Sequence, residues 1–284
     1  MLRSARDDDA DVLPGVRDVD DGPGRPQRPC RDGGGTLDPL PAHDGRVDRE
    51  GVDGTLNELD ENAVEAALRL VEAAGGEVIA LTMGPDDAED AVRRALQMGV
   101  HRAVRVTDDA LAGSDAFATA AVLAAAVRRL ADDGPVDLVV TGMAALDGLM
   151  SVVPTLLAAH LDLPQLTLAA ELSVADGVVR VRRDLDHVTE VLEAPLPALV
   201  SVTDQANEAR YPAFAGIMAA RKAQVPVWSL ADLGLDPAAV GGAAARTRVL
   251  EASPRPPREG VVITDTGDGG RRLAAFLAEN GLLA

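Results

Sequence analysis

The chain of 284 residues is poor in cysteine, in aromatic side chains and in positive charge. Its one cysteine, Cys30, has no second cysteine with which to form an internal disulfide, and no Cys/His grouping has the spacing of a metal site. Both absences fit a reducing compartment. Aromatics make up 2% of residues: one Trp, one Tyr and three Phe. The core must therefore be built from Ala, Val and Leu, which suits helices packed closely on a sheet better than a β-sandwich. Acidic residues outnumber basic ones 46 to 27, for a formal net charge of −19. Such a field repels nucleic acid and anionic membrane surfaces, so neither is an expected partner. No window approaches the roughly 20 apolar residues that a membrane-spanning helix needs. Residues 1–9 carry Asp7, Asp8 and Asp9 and no apolar stretch, unlike a secretory signal or a transit peptide. The expectation is a protein without membrane insertion, working in the cytoplasm.

Hydrophobic residues, by contrast, are plentiful at 47%, enough for one large or two small domains. Residues 1–43 stand apart: Asp, Arg, Gly and Pro dominate, with neither the helical nor the strand period. They read either as a disordered tail or as a mistranslated segment standing in place of a genuine first strand. From residue 44 the pattern is orderly. A helix over 61–74 (Val64, Ala67, Leu68, Val71) stops at Gly75-Gly76. A strand over 77–83 is followed by a helix over 86–98 whose early acids complement its dipole. Then come a strand over 102–106, an alanine-rich helix over 114–131 that Ser114 is placed to cap, a strand over 136–140 and a helix over 152–161. This alternation predicts βαβ units, hence an α/β fold with a parallel sheet.

After Pro164 the pattern changes to short strands over 166–172, 178–182 and 188–192, with Ala175-Asp176-Gly177 as a hairpin turn. A buried strand over 196–202 and a proline-bounded loop with a short helix over 211–222 follow. Residues 236–257 read as a Gly/Ala/Pro-rich linker to a last helix over 270–280. The predicted organisation is thus a non-family-like segment 1–43, an α/β domain 44–235, and a linker with a C-terminal arm, 236–284, for contact with a partner subunit.

The stretch that carries the functional expectation runs from Val139 through Gly142 and Gly148 to Pro154. An apolar strand empties into a glycine-containing loop and then a helix. In an open parallel sheet ligands bind at such carboxyl ends, and a helix N-terminus offers unpaired N–H groups to a phosphate. A bound nucleotide is expected, without machinery for reacting with it. Asp184, Asp186 and Glu190 read as a charged hairpin face rather than as catalytic carboxylates. Asn57 fits two roles, helix cap and ligand contact, while Asp147 shapes a turn with Gly148.

Ordered blocks over residues 44–235 resemble the β subunit of electron transfer flavoproteins: Asp53 to Leu70 with its asparagine-led helix start, Thr82-Met83-Gly84-Pro85, Ala95 to Ala103, Gly142 to Pro154, Leu163 to Thr167, Arg183-Asp184-Leu185-Asp186, Glu193 to Ser201, Asn207 to Pro212, and Gly216 to Lys222. The resemblance implies an adenine nucleotide hydrolase-like domain with an added β-hairpin region and a C-terminal arm, and an electron-carrier subunit rather than an enzyme. It implies an α subunit as partner, which carries most of an FAD, and flavoprotein dehydrogenases, such as acyl-CoA dehydrogenases, as electron donors. A quinone-reducing oxidoreductase is the implied acceptor. It also implies a structural AMP, replaced in the electron-bifurcating branch by a second FAD. Carried over by position, the nucleotide pocket falls on Asn57, Glu58, Leu59, Asp60, Met83 and the loop containing Gly142, Asp147, Gly148, Met150, Ser151, Val152 and Val153. The dehydrogenase-recognition segment falls on Ala206, Asn207, Glu208, Arg210 and Tyr211, with Ala206 at the position of the family's apolar anchor. This chain departs from the pattern at Leu59, Ala144, Ala145, His187 and Ala209, and its first strand is not recognisable in residues 1–43. Two other readings remain: an ATP-cleaving hydrolase, against which the lack of a Ser/Gly-rich pyrophosphate loop counts, and a stand-alone adenine-nucleotide sensor resembling universal stress proteins.

Overall fold

A computed structural model of the chain describes residues 56–145, 148–250, 262 and 264–282, together with the backbone of four short strands before residue 48. Those strands are β1 (Asp11–Pro14), β2 (Val16–Arg17), β3 (Ala42–His43) and β4 (Arg46–Val47). The later strands are β5 (Glu77–Met83), β6 (Arg102–Val106), β7 (Leu138–Gly142), β8 (Gln165–Ala169), β9 (Glu171–Ala175), β10 (Val178–Asp184), β11 (Thr189–Pro195), β12 (Ala198–Val202) and β13 (Val227–Trp228). The helices are α1 (Glu58–Ala74), α2 (Glu89–Met98), α3 (Ala116–Ala131), α4 (Val153–Leu161), α5 (Phe214–Ala220), α6 (Gly241–Ala244) and α7 (Gly269–Glu279). Two compact units divide the chain, Met1–Glu251 and Ala252–Ala284; α7 belongs to the second and exposes Leu273 and Phe276.

The first unit is built on a parallel sheet in the order β13-β6-β5-β1-β7-β12-β8, with β2 also pairing with β5. From β1 the chain steps outward to β5 and β6, then crosses back to place β7 on the other side of β1. The strand order therefore reverses between β1 and β7, where an open α/β sheet leaves a crevice at its carboxyl edge.

The period of two along each strand sorts side chains into two layers. In β5, Val78 and Ala80 join a core with α1 and α2, whereas Ile79, Leu81 and Met83 join a second core with α3. β7 does the same, with Leu138 and Val140 in the first core and Val139 in the second. Helices on both faces explain why these strands read as continuous apolar runs rather than alternating ones. The scarcity of aromatics is met by small residues: Ala120, Ala124 and Ala126 of α3 are fully buried, which allows close approach to the sheet.

The structure departs from the sequence reading in several places. β1 stands in the centre of the sheet, with Asp11 and Val12 in register with Glu77 and Val78, and Leu13 and Pro14 with Val139 and Val140. A strand is thus present where the sequence shows none. Four residues are too few to display a period, and Pro14, lacking an N–H, argues against a central strand. The strand expected over 166–172 is two strands in two sheets. β8 bulges at Leu168, which has φ of +62° and whose N–H is accepted by Ser201 Oγ at 2.9 Å, and the chain passes to the second sheet at Ala170. β9, β10 and β11 then form a separate antiparallel sheet, with Asp176 and Gly177 at positive φ in the predicted turn. The cap of α3 is Asp115, whose Oδ1 accepts the N–H groups of Phe117 and Ala118. Ser114 instead donates to the Leu111 carbonyl and accepts from Gly241 N–H. Residues 236–250, read as linker, contain a 3-10 turn at Pro237–Ala239 and α6, and this segment is hydrogen-bonded to the N-terminal end of α3.

Candidate nucleotide-binding site

The crevice at the strand reversal is formed where the end of β7 meets the start of α1. Asn57 is the N-cap of α1 but makes no side-chain capping bond. Its Nδ2 donates to Asp60 Oδ2 and to the Ala144 carbonyl, each at 2.9 Å. Asp60, only 3% exposed, accepts the Gly142 N–H on Oδ1 at 2.8 Å. One amide and one carboxylate thereby fasten the first turn of α1 to the loop leaving β7. Gly142 is required for this closeness: a Cβ there would lie 2.9 Å from Asp60 Oδ1 and from the Leu59 carbonyl.

Above the junction a shallow open cleft is lined by Asp60, Thr141, Gly142, Ala144, Ala145, Ser151, Val153 and Pro154. The hydroxyl of Thr141 is buried and has no hydrogen-bond partner among the described residues. A buried hydroxyl left in this state costs about 1–3 kcal/mol, part of which a bonding ligand would recover. Leu149 and Ser151 take left-handed φ values of +51° and +55°, and α4 begins two residues after Ser151. The N–H groups of residues 150–153 bond to no described residue, and Pro154 has none. Among the described residues no basic side chain lines the cleft. The described groups that could hold an anion there are open amides and the positive end of α4. Among the described residues no His/Cys/Asp/Glu group could hold a metal ion.

Of the residues predicted to bind nucleotide, the structure brings Asp60, Gly142, Ser151 and Val153 together in the cleft wall. Asn57 and Leu59 stand behind it, through the Ala144 bond and the close approach to Gly142. Glu58, Gly148, Met150 and Val152 are exposed on the same edge. The Met83 side chain is not at the cleft: at 1% exposure it packs in the core with α3. Asp147 lies outside the described residues. Thr141 and Pro154 line the cleft but fall one residue outside the predicted range at either end. Thr141 carried a sequence signal, a hydroxyl closing an otherwise apolar strand.

The segment predicted to meet partners is fastened to one stripe of α1, at helical spacing from Asn62 to Glu72. Asn62 and Asn207 exchange bonds, each side-chain amide donating to the other's carbonyl, at 2.8 and 2.9 Å. Arg210 pairs with Glu65 at 2.6 Å and also with Glu72, and Arg69 pairs with Glu65 from the other side. Burial works to raise the Glu65 pKa, but the two guanidinium groups outweigh it and hold the carboxyl below its ordinary range. Arg210 is shifted upward by Glu72 and Glu65. Ala206 and Ala209 pack inward against the core, whereas Glu208 is exposed and Tyr211 is 89% exposed.

Residues 44–233 match the family model of the electron transfer flavoprotein domain. The electron transfer flavoprotein subunit beta of Mycobacterium leprae is 42% identical over 237 residues, covering 81% of this chain and 88% of that protein. The caffeyl-CoA reductase-Etf complex subunit CarD of Acetobacterium woodii is 38% identical over 78% of this chain and 84% of its own length. Protein FixA of Azorhizobium caulinodans is 41% identical over 66% and 68%. The first of these is named as an electron transfer flavoprotein subunit, and CarD as a subunit of a reductase-Etf complex. A reversed-order parallel sheet agrees with these matches: the chain belongs to the electron transfer flavoprotein family, in its β-subunit branch.

Proposed function

We propose that this chain pairs with an α subunit as a heterodimeric electron transfer flavoprotein and holds a structural AMP in the switch-point cleft. The observation that carries the nucleotide assignment is the cleft itself: Gly142 without room for a Cβ, the unpaired buried hydroxyl of Thr141, and open N–H groups at residues 150–153. These fit a phosphate and an adenosine better than a metal or a basic-residue clamp would. Asn57 and Asp60 keep the cleft wall closed from behind, and the exposed Met150 and Val152 flank its mouth. FAD, held mainly by the α subunit, supplies the redox chemistry. This chain's part is to cover and orient it and to meet the electron donors. Those donors are flavoprotein dehydrogenases, acyl-CoA dehydrogenases among them, and electrons leave to a quinone-reducing oxidoreductase of the respiratory chain. Work in the cytoplasm completes the reading; no described helix is long and apolar enough to cross a membrane.

The test is co-expression with an electron transfer flavoprotein α subunit from the same source, then acid release and chromatography of bound nucleotides. About one FAD and one AMP per heterodimer is the expected result. Two FAD would replace AMP by a second flavin. A colourless monomer that keeps an adenine nucleotide and ignores the α subunit would favour the sensor reading instead.

A further inference from the structure

β12 ends at Val202 and α5 begins at Phe214, and residues 203–213 run between them as a strap along α1. Residues 207–212 form no backbone–backbone hydrogen bond with any described residue. Their main-chain groups turn instead to side chains of α1. The Asn207 carbonyl accepts from Asn62 Nδ2 at 2.8 Å and the Glu208 carbonyl from Arg69 Nη2 at 3.3 Å. The Arg210 N–H donates to Glu65 Oε2 at 3.3 Å. Two strap side chains answer: Asn207 Nδ2 donates to the Asn62 carbonyl at 2.9 Å, and Arg210 Nε to Glu65 Oε2 at 2.6 Å. Asn62, Glu65 and Arg69 recur at helical spacing, so one stripe of α1 satisfies the strap as a neighbouring strand satisfies a sheet edge. Apolar attachment is slight. Among the described strap residues only Ala206 and Ala209 pack on the core, both partly buried.

The Glu65 side chain, 4% exposed, decides how hard it is to release the strap. A buried carboxylate stripped of every cation is strongly unfavourable. Glu65 keeps Arg69 when Arg210 leaves, and Arg210, already 31% exposed, passes into water. No charge is left buried and unpaired, and no core side chain larger than alanine is withdrawn. Both ends stay fixed. β12 is paired with β7 and β8, and α5 lies on α2, where a Cβ on Gly216 would come within 2.4 Å of the Gln97 carbonyl. We propose that the strap is a latch: it lifts from α1 and recloses as a unit while the sheet and helices stay folded. The Glu65–Arg210 and Asn62–Asn207 ties set the fraction that is open. Segments with few buried apolar contacts open at a lower free energy than the whole fold, and this strap is such a segment. It carries the residues expected to meet partners, so the latch governs whether they are offered in one fixed shape. The proposal stands on α1 and the strap alone and does not depend on the nucleotide or on the electron-carrier reading.

Arg210 is also the probe, because trypsin must draw its side chain out of these bonds to cut before Tyr211. The full chain is digested under native conditions, and fragments ending at Arg210 are followed by mass spectrometry. Arg221, exposed just after α5, is the open control, and Arg69, within α1, reports unfolding of the whole. When reclosing outpaces cleavage, the rate tracks the open fraction. Cutting after Arg210 should be slower than after Arg221 and faster than after Arg69. Relative to Arg221 it should be unchanged by about 1 M urea, since so small an opening exposes little surface. Glu65→Gln should speed it at least about tenfold and Asn62→Ala about threefold, each still insensitive to urea. Equal rates after Arg210 and Arg221 in the wild type overturn the proposal, because the strap is then never closed. Cutting after Arg210 that keeps pace with Arg69 and rises with urea overturns it too, since the strap then opens only with the whole fold. Rates unchanged in both variants overturn the assignment of these ties. Should Glu65→Gln fail to fold, Asn62→Ala and the urea series on the wild type decide the matter.

Discussion

At Gly142 two backbones come closer than any other residue allows. A Cβ would meet the Leu59 carbonyl, a backbone group that cannot rotate away. Gly142→Ala should therefore cost about 1–3 kcal/mol, read as a lower thermal midpoint, and should also lower nucleotide content. Thr141 gives the opposite pattern. Replacing its unpaired buried hydroxyl by a methyl of the same shape removes a desolvated group, so Thr141→Val should leave the nucleotide-free chain as stable or about 1 kcal/mol more stable. The same variant should hold AMP more weakly after dialysis, because the hydroxyl is the buried donor within the cleft. A stable variant with full AMP content would show that the hydroxyl does not meet the ligand. Neither residue type announces its role in isolation: the glycine is one of 27, and a threonine ending a strand is ordinary.

At the scale of elements, two carboxylates join segments distant in sequence. Asp115 caps α3 through Oδ1, while its Oδ2 accepts from the N–H groups of Arg246 and Thr247. Burial works to raise its pKa, but those N–H bonds prevail and hold it below the ordinary aspartate value. Glu65 is held low in the same way by Arg210 and Arg69. A carboxylate with a lower pKa in the folded than in the unfolded chain stabilises the fold fully above the unfolded value and loses that contribution as pH falls through the folded value. The thermal midpoint should accordingly drop below about pH 5, and less steeply in Asp115→Asn, which no longer titrates there. At neutral pH Asp115→Ala should cost about 1–2 kcal/mol as a lost cap. A midpoint curve for Asp115→Asn parallel to that of the wild type would show that this carboxylate does not contribute to the acid slope. Arg210→Ala leaves Glu65 with one cation and should cost about 1–3 kcal/mol, the partial exposure of Arg210 tempering the loss. The longer helices were legible in sequence because they obey one period over ten or more residues, as α1 and α3 do. The features that escaped, β1 and the bulge at Leu168, are short or are decided by a neighbour: β1 by the slot between β5 and β7, and Leu168 by the hydroxyl of Ser201.

Across the whole molecule the excess of acid dominates. With 46 acidic and 27 basic residues the surface repels itself, and the isolated pairs that offset this, such as Arg180–Glu193 and Arg182–Glu171, are exposed and individually worth about 0–1 kcal/mol. Raising salt from about 20 mM to about 300 mM weakens both, but the net repulsion is the larger effect, so the thermal midpoint should rise. A falling midpoint would mean that the ion pairs outweigh the net charge.

The sequence by itself determined the layers of this protein. Apolar runs of strand length, helices with one apolar stripe and glycine stops are local properties, and they sufficed for a parallel α/β sheet and for the hairpin, and pointed to the loop after β7 as a candidate ligand edge. The resemblance of ordered blocks to the electron transfer flavoprotein β subunit rests equally on the chain alone. Only the tertiary structure decided which atoms meet at that edge. Asn57 and Asp60 brace Gly142 rather than merely beginning a helix, Met83 turns into the core, and Ala206 faces inward while Tyr211 and Phe214 face out. The physical reason is that a period assigns a residue to a face of its own element, whereas a site is made by the approach of elements many residues apart. That approach is set by the packing of the whole sheet and its helices, which no local window contains.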